Sequence, residues 1–190
     1  KLIDFSIIKN DYAILAPISD DDNHPNYRIK NKSLSNQELN YLNVDSVDGF
    51  AMLINKKKFK DDYYFDENFF LYLENEDLCL RKKKEGENIY VLKMAKINHL
   101  GGKSSSKIYS EEIEYSRNWH WMWSKFYFNK KHYGYLYSLT KVFSNLISAK
   151  VKFFYYLLIF NSYKRKIYMM RYLGLINSMI GKKSWYRPKI

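Results

Sequence analysis

Phe65-Asp66-Glu67-Asn68-Phe69-Phe70-Leu71-Tyr72-Leu73-Glu74-Asn75-Glu76-Asp77-Leu78-Cys79-Leu80-Arg81 is the most informative stretch of this chain. Leu71 to Glu85 has helical spacing and stops at Gly86, a residue suited to the left-handed position past a helix end. On such a helix Glu74, Asp77 and Arg81 share one face. Taken alone, that face reads as solvated, with ion pairing worth only about 0.2–0.5 kcal/mol. Two further pieces flank it in order. Val47-Asp48-Gly49-Phe50-Ala51-Met52-Leu53-Ile54 precedes it, and Asn98-His99-Leu100-Gly101-Gly102-Lys103-Ser104 follows.

Outward from this stretch, residues 1–100 alternate between helix and strand patterns. Lys1–Asn10 reads as a helix end, and its start without Met reads like the middle of a longer protein. Tyr12–Ala16 is a short apolar run closed by Pro17, as in a buried strand. Ile18–Asn43 is polar, contains Asp20-Asp21-Asp22 and Pro25, and reads as a long surface loop. Val47–Ile54 reads as a strand with Gly49 inside it. Ile89–Leu92 and Ala95–Ile97 read as two more short strands. This alternation predicts an α/β architecture.

From about Ser110 the pattern becomes helical. Leu136, Leu139, Phe143, Leu146 and Ile147 fall on one stripe, and Met169, Leu173, Ile176 and Ile180 on another. The longest uncharged run, Phe153–Tyr163, has 11 residues, against roughly 20 for a membrane-spanning helix. The 190 residues fit one domain, or one domain with an appendage. The single cysteine, Cys79, excludes an intramolecular disulfide and a cysteine-based zinc site.

The net charge of +12 is unevenly spread. Residues 1–100 carry 15 Lys+Arg against 17 Asp+Glu, a balance of −2. Residues 101–190 carry 17 against 3, a balance of +14, and no acid follows Glu114. Codon bias toward Lys, Asn and Tyr does not explain missing acids. A one-sign surface points to a polyanionic partner, either nucleic acid or anionic lipid.

The three ordered pieces together resemble the acceptor half of inverting family-2 glycosyltransferases of the GT-A fold, especially their rhamnosyltransferase-like branch. That family shows a "DGxxMLI" strand, then "FDExFFxYxEDxDLCxR", then "H-x-G-x-S". The resemblance covers about residues 10–106. It implies the C-terminal part of a GT-A (Rossmann-like) domain over residues 1–109. A mostly α-helical, basic, membrane-associating region over 110–190 follows.

The resemblance also assigns roles. Asp48 and Gly49 fall where the family shapes its acceptor site; the other reading is an ordinary buried strand. Asn75 occupies the position of the family's general base, where an amide cannot accept the proton, and is assigned with Asp48 and Gly49 to acceptor binding. Glu74 is then the first candidate for a catalytic substitute and Asp77 the second, with Glu76 solvated. His99 matches a histidine that binds the divalent cation or the donor diphosphate, and Lys103 and Ser104 are placed to donate to phosphate oxygens. The cation, Mg²⁺ or Mn²⁺, is expected to be held largely by residues upstream of this chain.

The implied partners are a nucleotide-sugar donor, a glycan or glycolipid acceptor and an anionic membrane surface, with no nucleic acid. The implied location is cytoplasmic, peripheral on the inner face of the membrane. A different class is a basic, aromatic nucleic-acid-binding module without catalysis. Trp119-His120-Trp121-Met122-Trp123 reads either as a membrane-interface anchor or as packing of the first tail helix against the α/β core.

Overall fold

The computed structural model describes residues 1–21, 23–29, 40–60, 63–99 and 109–188. The chain is mixed α/β and divides into two compact units. One is Lys1–Asp66 with Glu74–Gly101; the other is Glu67–Leu73 with Gly102–Ile190. The boundary expected at 109/110 therefore omits a short segment, Glu67–Leu73, that packs with the later helices.

In the first unit, α1 (Leu2–Ile8) precedes β1 (Tyr12–Ser19), β2 (Tyr27–Arg28), β3 (Tyr41–Asn43), β4 (Ser46–Val47) and β5 (Leu53–Ile54). A 3₁₀ turn (Lys56–Lys58), α2 (Glu74–Lys84) and β6 (Asn88–Ile97) complete it. The main sheet has the order β3-β6-β1-β5, with β1 and β6 parallel and the outer pairs antiparallel. β2 and β4 form a separate antiparallel pair.

Both faces of the β1–β6 pair are covered. Ala13, Ile14, Ile89 and Val91 pack with Leu78 and Cys79 of α2, while Leu15, Tyr90 and Leu92 pack with Leu2 and Phe5 of α1. Burial on both sides is why β1 reads as a run of apolar residues rather than an alternation. Burial also pushes the Cys79 thiol up to about 12, so it stays protonated and unreactive.

Several local expectations change. β1 continues through Pro17 because the ladder breaks there: Pro17 pairs with Leu92, and Ile18 next pairs with Lys96. A proline is tolerated at such an irregularity. The same irregularity lets the two strands expected at 89–97 run as one. Val47–Ile54 is not one strand; β4 and β5 belong to different sheets, and Asp48–Ala51 turn between them. The segment expected as loop contains β2 and the edge strand β3.

α2 starts at Glu74, three residues later than expected. Tyr72 and Leu73 before it have φ of 69° and 68°, left-handed values uncommon outside glycine. Its other end is as expected. Gly86 has φ of 81°, and the Gly86 and Glu87 amides donate to the Lys83 and Lys82 carbonyls, closing the helix.

The second unit is helical: α3 (Ser110–Tyr133), α4 (Tyr135–Leu158) and α5 (Ser162–Met179) pack on one another. Gly134 alone, at φ of 90°, joins α3 to α4. Trp119 and Trp123 are buried with Tyr115 and Met170, and Met122 and Phe126 with Val142 and Leu175. Most of the tryptophan-rich segment is thus bundle core, with only Trp121 exposed.

The two apolar stripes turn out differently from the sequence pattern. On α4, Leu139 and Leu146 pack inward, but Leu136, Phe143 and Ile147 are exposed. On α5 the buried positions are Met170, Gly174, Leu175, Asn177 and Ser178, whereas Leu173 and Ile180 are exposed. Close helix approach selects small residues. A Cβ at Gly174 would lie 2.2 Å from the Trp119 carbonyl oxygen, so α3 and α5 touch backbone to backbone there.

Segment Glu67–Leu73 is fastened within this unit. Ser124 Oγ donates to the Leu71 carbonyl at 2.7 Å, and Phe69 meets the Tyr127 ring edge-on at 5.0 Å. Tyr72 meets Trp121 at 5.4 Å, and the Arg187 guanidinium lies 3.6 Å from the Phe70 ring centroid. His120 is fully buried. Its Nε2–H donates to the Tyr186 carbonyl at 2.8 Å, and Nδ1 accepts from Ser184 Oγ at 2.9 Å.

Candidate functional site

Two contacts in the first unit tie the three motif pieces together. A Cβ at Gly49 would lie 3.4 Å from Asn75 Cβ, so the turn after β4 abuts the first turn of α2. One residue on, Phe50 stacks on His99 with centroids 4.3 Å apart and planes 2° from parallel. The middle piece thus meets the first at Gly49, and the third meets it at Phe50.

Asn75 is committed to structure. Its Nδ2 donates to the Val47 carbonyl at 2.8 Å, fastening the start of α2 to the end of β4. Asp77 is fully buried, with Oδ2 accepting from Arg81 Nε at 3.0 Å; Arg81 also donates to the Tyr64 carbonyl. Glu76, expected to be solvated, pairs with Arg28 at 3.2 Å. Glu74 differs from these neighbours. Its Oε2 is buried and has no hydrogen-bond partner among the described residues, although the residue as a whole is only partly buried. A buried carboxylate oxygen without a donor is costly unless something supplies a proton or a hydrogen bond.

Asp48 and His99 are exposed and line a cavity of about 250 Å³ with Asp20, Asp21, Asn26 and Phe50. Glu74, Asn75 and Asp77 are not among the lining residues. Lys103 and Ser104 lie outside the described residues. The turn read from sequence as a surface loop contributes one wall of this cavity. Asp21 accepts from His24 Nδ1 at 2.9 Å and from the Asn23 amide at 2.9 Å, and the His24 bond leads in holding its carboxyl below the usual range.

Asn26 braces the cavity. It is 1% exposed; its Oδ1 accepts from the Ser19 amide at 2.8 Å and its Nδ2 donates to the Pro17 carbonyl at 2.9 Å. Its own carbonyl accepts from the Asp48 amide at 2.8 Å. Sequence reasoning missed Asn26. Its signal is an asparagine next to Pro25, opposite a strand interrupted by Pro17, and that gains meaning only once the two segments meet.

Chemically, exposed carboxylates beside a flat ring pair suit a polyhydroxylated ligand. Carboxylates accept from hydroxyls, and ring faces pack against C–H surfaces. Among the described residues no group of three or more His, Cys, Asp and Glu side chains is arranged to hold a metal ion. His99, the expected ligand, stacks on Phe50 through its ring face, a contact that does not use the in-plane ring nitrogens. No family model, no curated protein and no solved structure matches this chain.

Proposed function

We propose that this chain forms the acceptor-binding side of a sugar-transferring enzyme of the GT-A type that its motifs resemble. The observation that carries the reading is the convergence of the three motif pieces through Gly49 with Asn75 and Phe50 with His99. The fold thus sets the three pieces around the turn that follows β4, beside the exposed Asp48.

In this reading Asp48 accepts hydrogen bonds from acceptor hydroxyls, and the Phe50–His99 pair presents a face to the sugar ring. Glu74 is the base. Its Oε2 is buried and Glu74 does not line the Asp48 cavity, so the start of α2 must open for the acceptor hydroxyl to reach it. Oε2 then takes the proton as that oxygen attacks the anomeric carbon, and the C–O bond to the departing diphosphate breaks in line. Asp77 acts through Arg81, which it holds at the side of α2. Asn75 is a positioning residue that keeps the start of α2 against β4.

The test is transfer from radiolabelled nucleotide sugars to endogenous acceptors, with the protein expressed from its full reading frame. Glu74→Gln keeps shape and removes the base, so the rate should fall by about 10²–10⁴-fold with acceptor binding retained. A Glu74→Gln protein as fast as the unaltered one overturns the assignment of the base. Failure to bind any carbohydrate, together with tight oligonucleotide binding, would overturn the sugar-transfer reading itself.

A further inference from the structure

Helix α4 has two apolar sides, and only one belongs to the bundle. Ser138, Val142 and Ala149 are buried, with Leu139 and Leu146 beside them. On the opposite side Leu136, Phe143, Ile147, Val151, Phe154 and Leu158 are all exposed, Leu136 by 78% and Phe143 by 62%. Their spacings of 7, 4, 4, 3 and 4 place them on one stripe about 33 Å long at 1.5 Å per residue. At the end of the stripe Phe160 is 93% exposed, in the turn before α5.

Charge frames this stripe. At 100° per residue Lys150 lies along one edge, while Lys141 and Lys152 lie on the flank beyond the other edge, Lys152 over the Tyr168 ring at 5.2 Å. The helix holds no acid, and neither does any residue after Glu114. The apolar surface continues into a groove of about 320 Å³ between α4 and α5, walled by Phe153, Phe154, Met169 and Tyr172 with Lys150 beside it. Among the described residues no helix is long and apolar enough to cross a membrane. A helix of this kind lies in the plane of an interface.

We infer that the outer face of α4 docks on a lipid bilayer carrying anionic headgroups. Its apolar stripe enters the acyl boundary, and its lysines meet lipid phosphates. The charge selects this occupant. A second copy would set one +14 half against another. A nucleic acid would need the centre of the face to be cationic or stacking, and aliphatic residues occupy much of it. This inference is independent of the proposed sugar transfer.

The experiment is co-sedimentation of the full chain with vesicles of phosphatidylcholine, with and without phosphatidylglycerol. Binding should require phosphatidylglycerol and weaken as salt rises, since charges are screened over about 8–10 Å at moderate ionic strength. Phe143→Ser with Phe154→Ser should lower partitioning by about tenfold or more. Both side chains are exposed, so circular dichroism should be unchanged. Lys150→Gln should cost about fivefold, and only on anionic vesicles. Three results overturn the inference: equal binding to neutral vesicles, stripe variants that bind like the unaltered chain, or dimers in sedimentation that the stripe variants dissolve.

Discussion

Asn75 donates its side-chain amide to the Val47 carbonyl at 2.8 Å, so the residue standing where a base is expected is a clamp between α2 and β4. An aspartate at 75 would present a carboxylate oxygen to that carbonyl, acceptor against acceptor. Asn75→Asp should therefore destabilise the first unit by about 1–3 kcal/mol at neutral pH instead of restoring a base. Denaturant titration at pH 7 and again near pH 3 checks this. The loss should shrink at the lower pH, where the carboxyl is protonated and can donate. A variant as stable as the unaltered chain at both pH values counts against the clamp.

Asp77 and Arg81 make a second prediction. Asp77 is fully buried, and Arg81 spans from it to the Tyr64 carbonyl. Asp77→Ala strands the guanidinium and should cost about 3 kcal/mol, read as a fall in the denaturation midpoint. Glu74→Gln, one turn earlier, should leave stability nearly unchanged because no partner among the described residues holds the buried oxygen. The two carboxylates are thus separable: one through stability, the other through rate.

These cases show what could be read from the sequence. The α/β alternation, the buried β1, the stop at Gly86 and the helical texture after Ser110 follow from local periodicity and a glycine's freedom. The division of roles among Glu74, Asn75 and Asp77 does not. It depends on whether the Val47 carbonyl or the Arg81 guanidinium lies opposite, and no spacing rule encodes that. The α4 stripe shows the same limit. A helix with two apolar sides gives one broad periodic signal, and only packing tells which side faces the core.

Gly174 yields a third prediction. With the Trp119 carbonyl oxygen 2.2 Å from the place of a Cβ, Gly174→Ala cannot be absorbed by a side-chain movement. Ala is the better helix former by about 1 kcal/mol, yet the helices must separate. The net effect should be a loss of about 2 kcal/mol or more, measured by thermal unfolding. An unchanged or raised midpoint would show that α3 and α5 can part without cost.

His120 gives a fourth. Burial pushes its imidazole down to about 4, and the charge of Arg187 acts in the same direction against the bond to the Tyr186 carbonyl. The unfolded chain therefore takes up a proton first as pH falls. Stability is fully present above about pH 6.5 and is lost toward pH 4, by up to about 1.4 kcal/mol per pH unit. His120→Asn should flatten that slope between pH 6.5 and 5, whatever it does to stability at pH 7. A slope that persists in the variant would assign it to other groups.

Segment Glu67–Leu73 leaves the first unit, is fastened by Ser124, Tyr127 and Arg187, and returns at Glu74. The backbone thus crosses between the units at 66/67, at 73/74 and again near 101/102. A single genetic crossover cannot exchange one unit for a foreign one. Cutting at 109/110 would carry off the helices without Phe69 and Leu71, leaving Tyr127 and Ser124 without the partners they have here. Transplanting either unit alone therefore needs three cuts, although each has its own core.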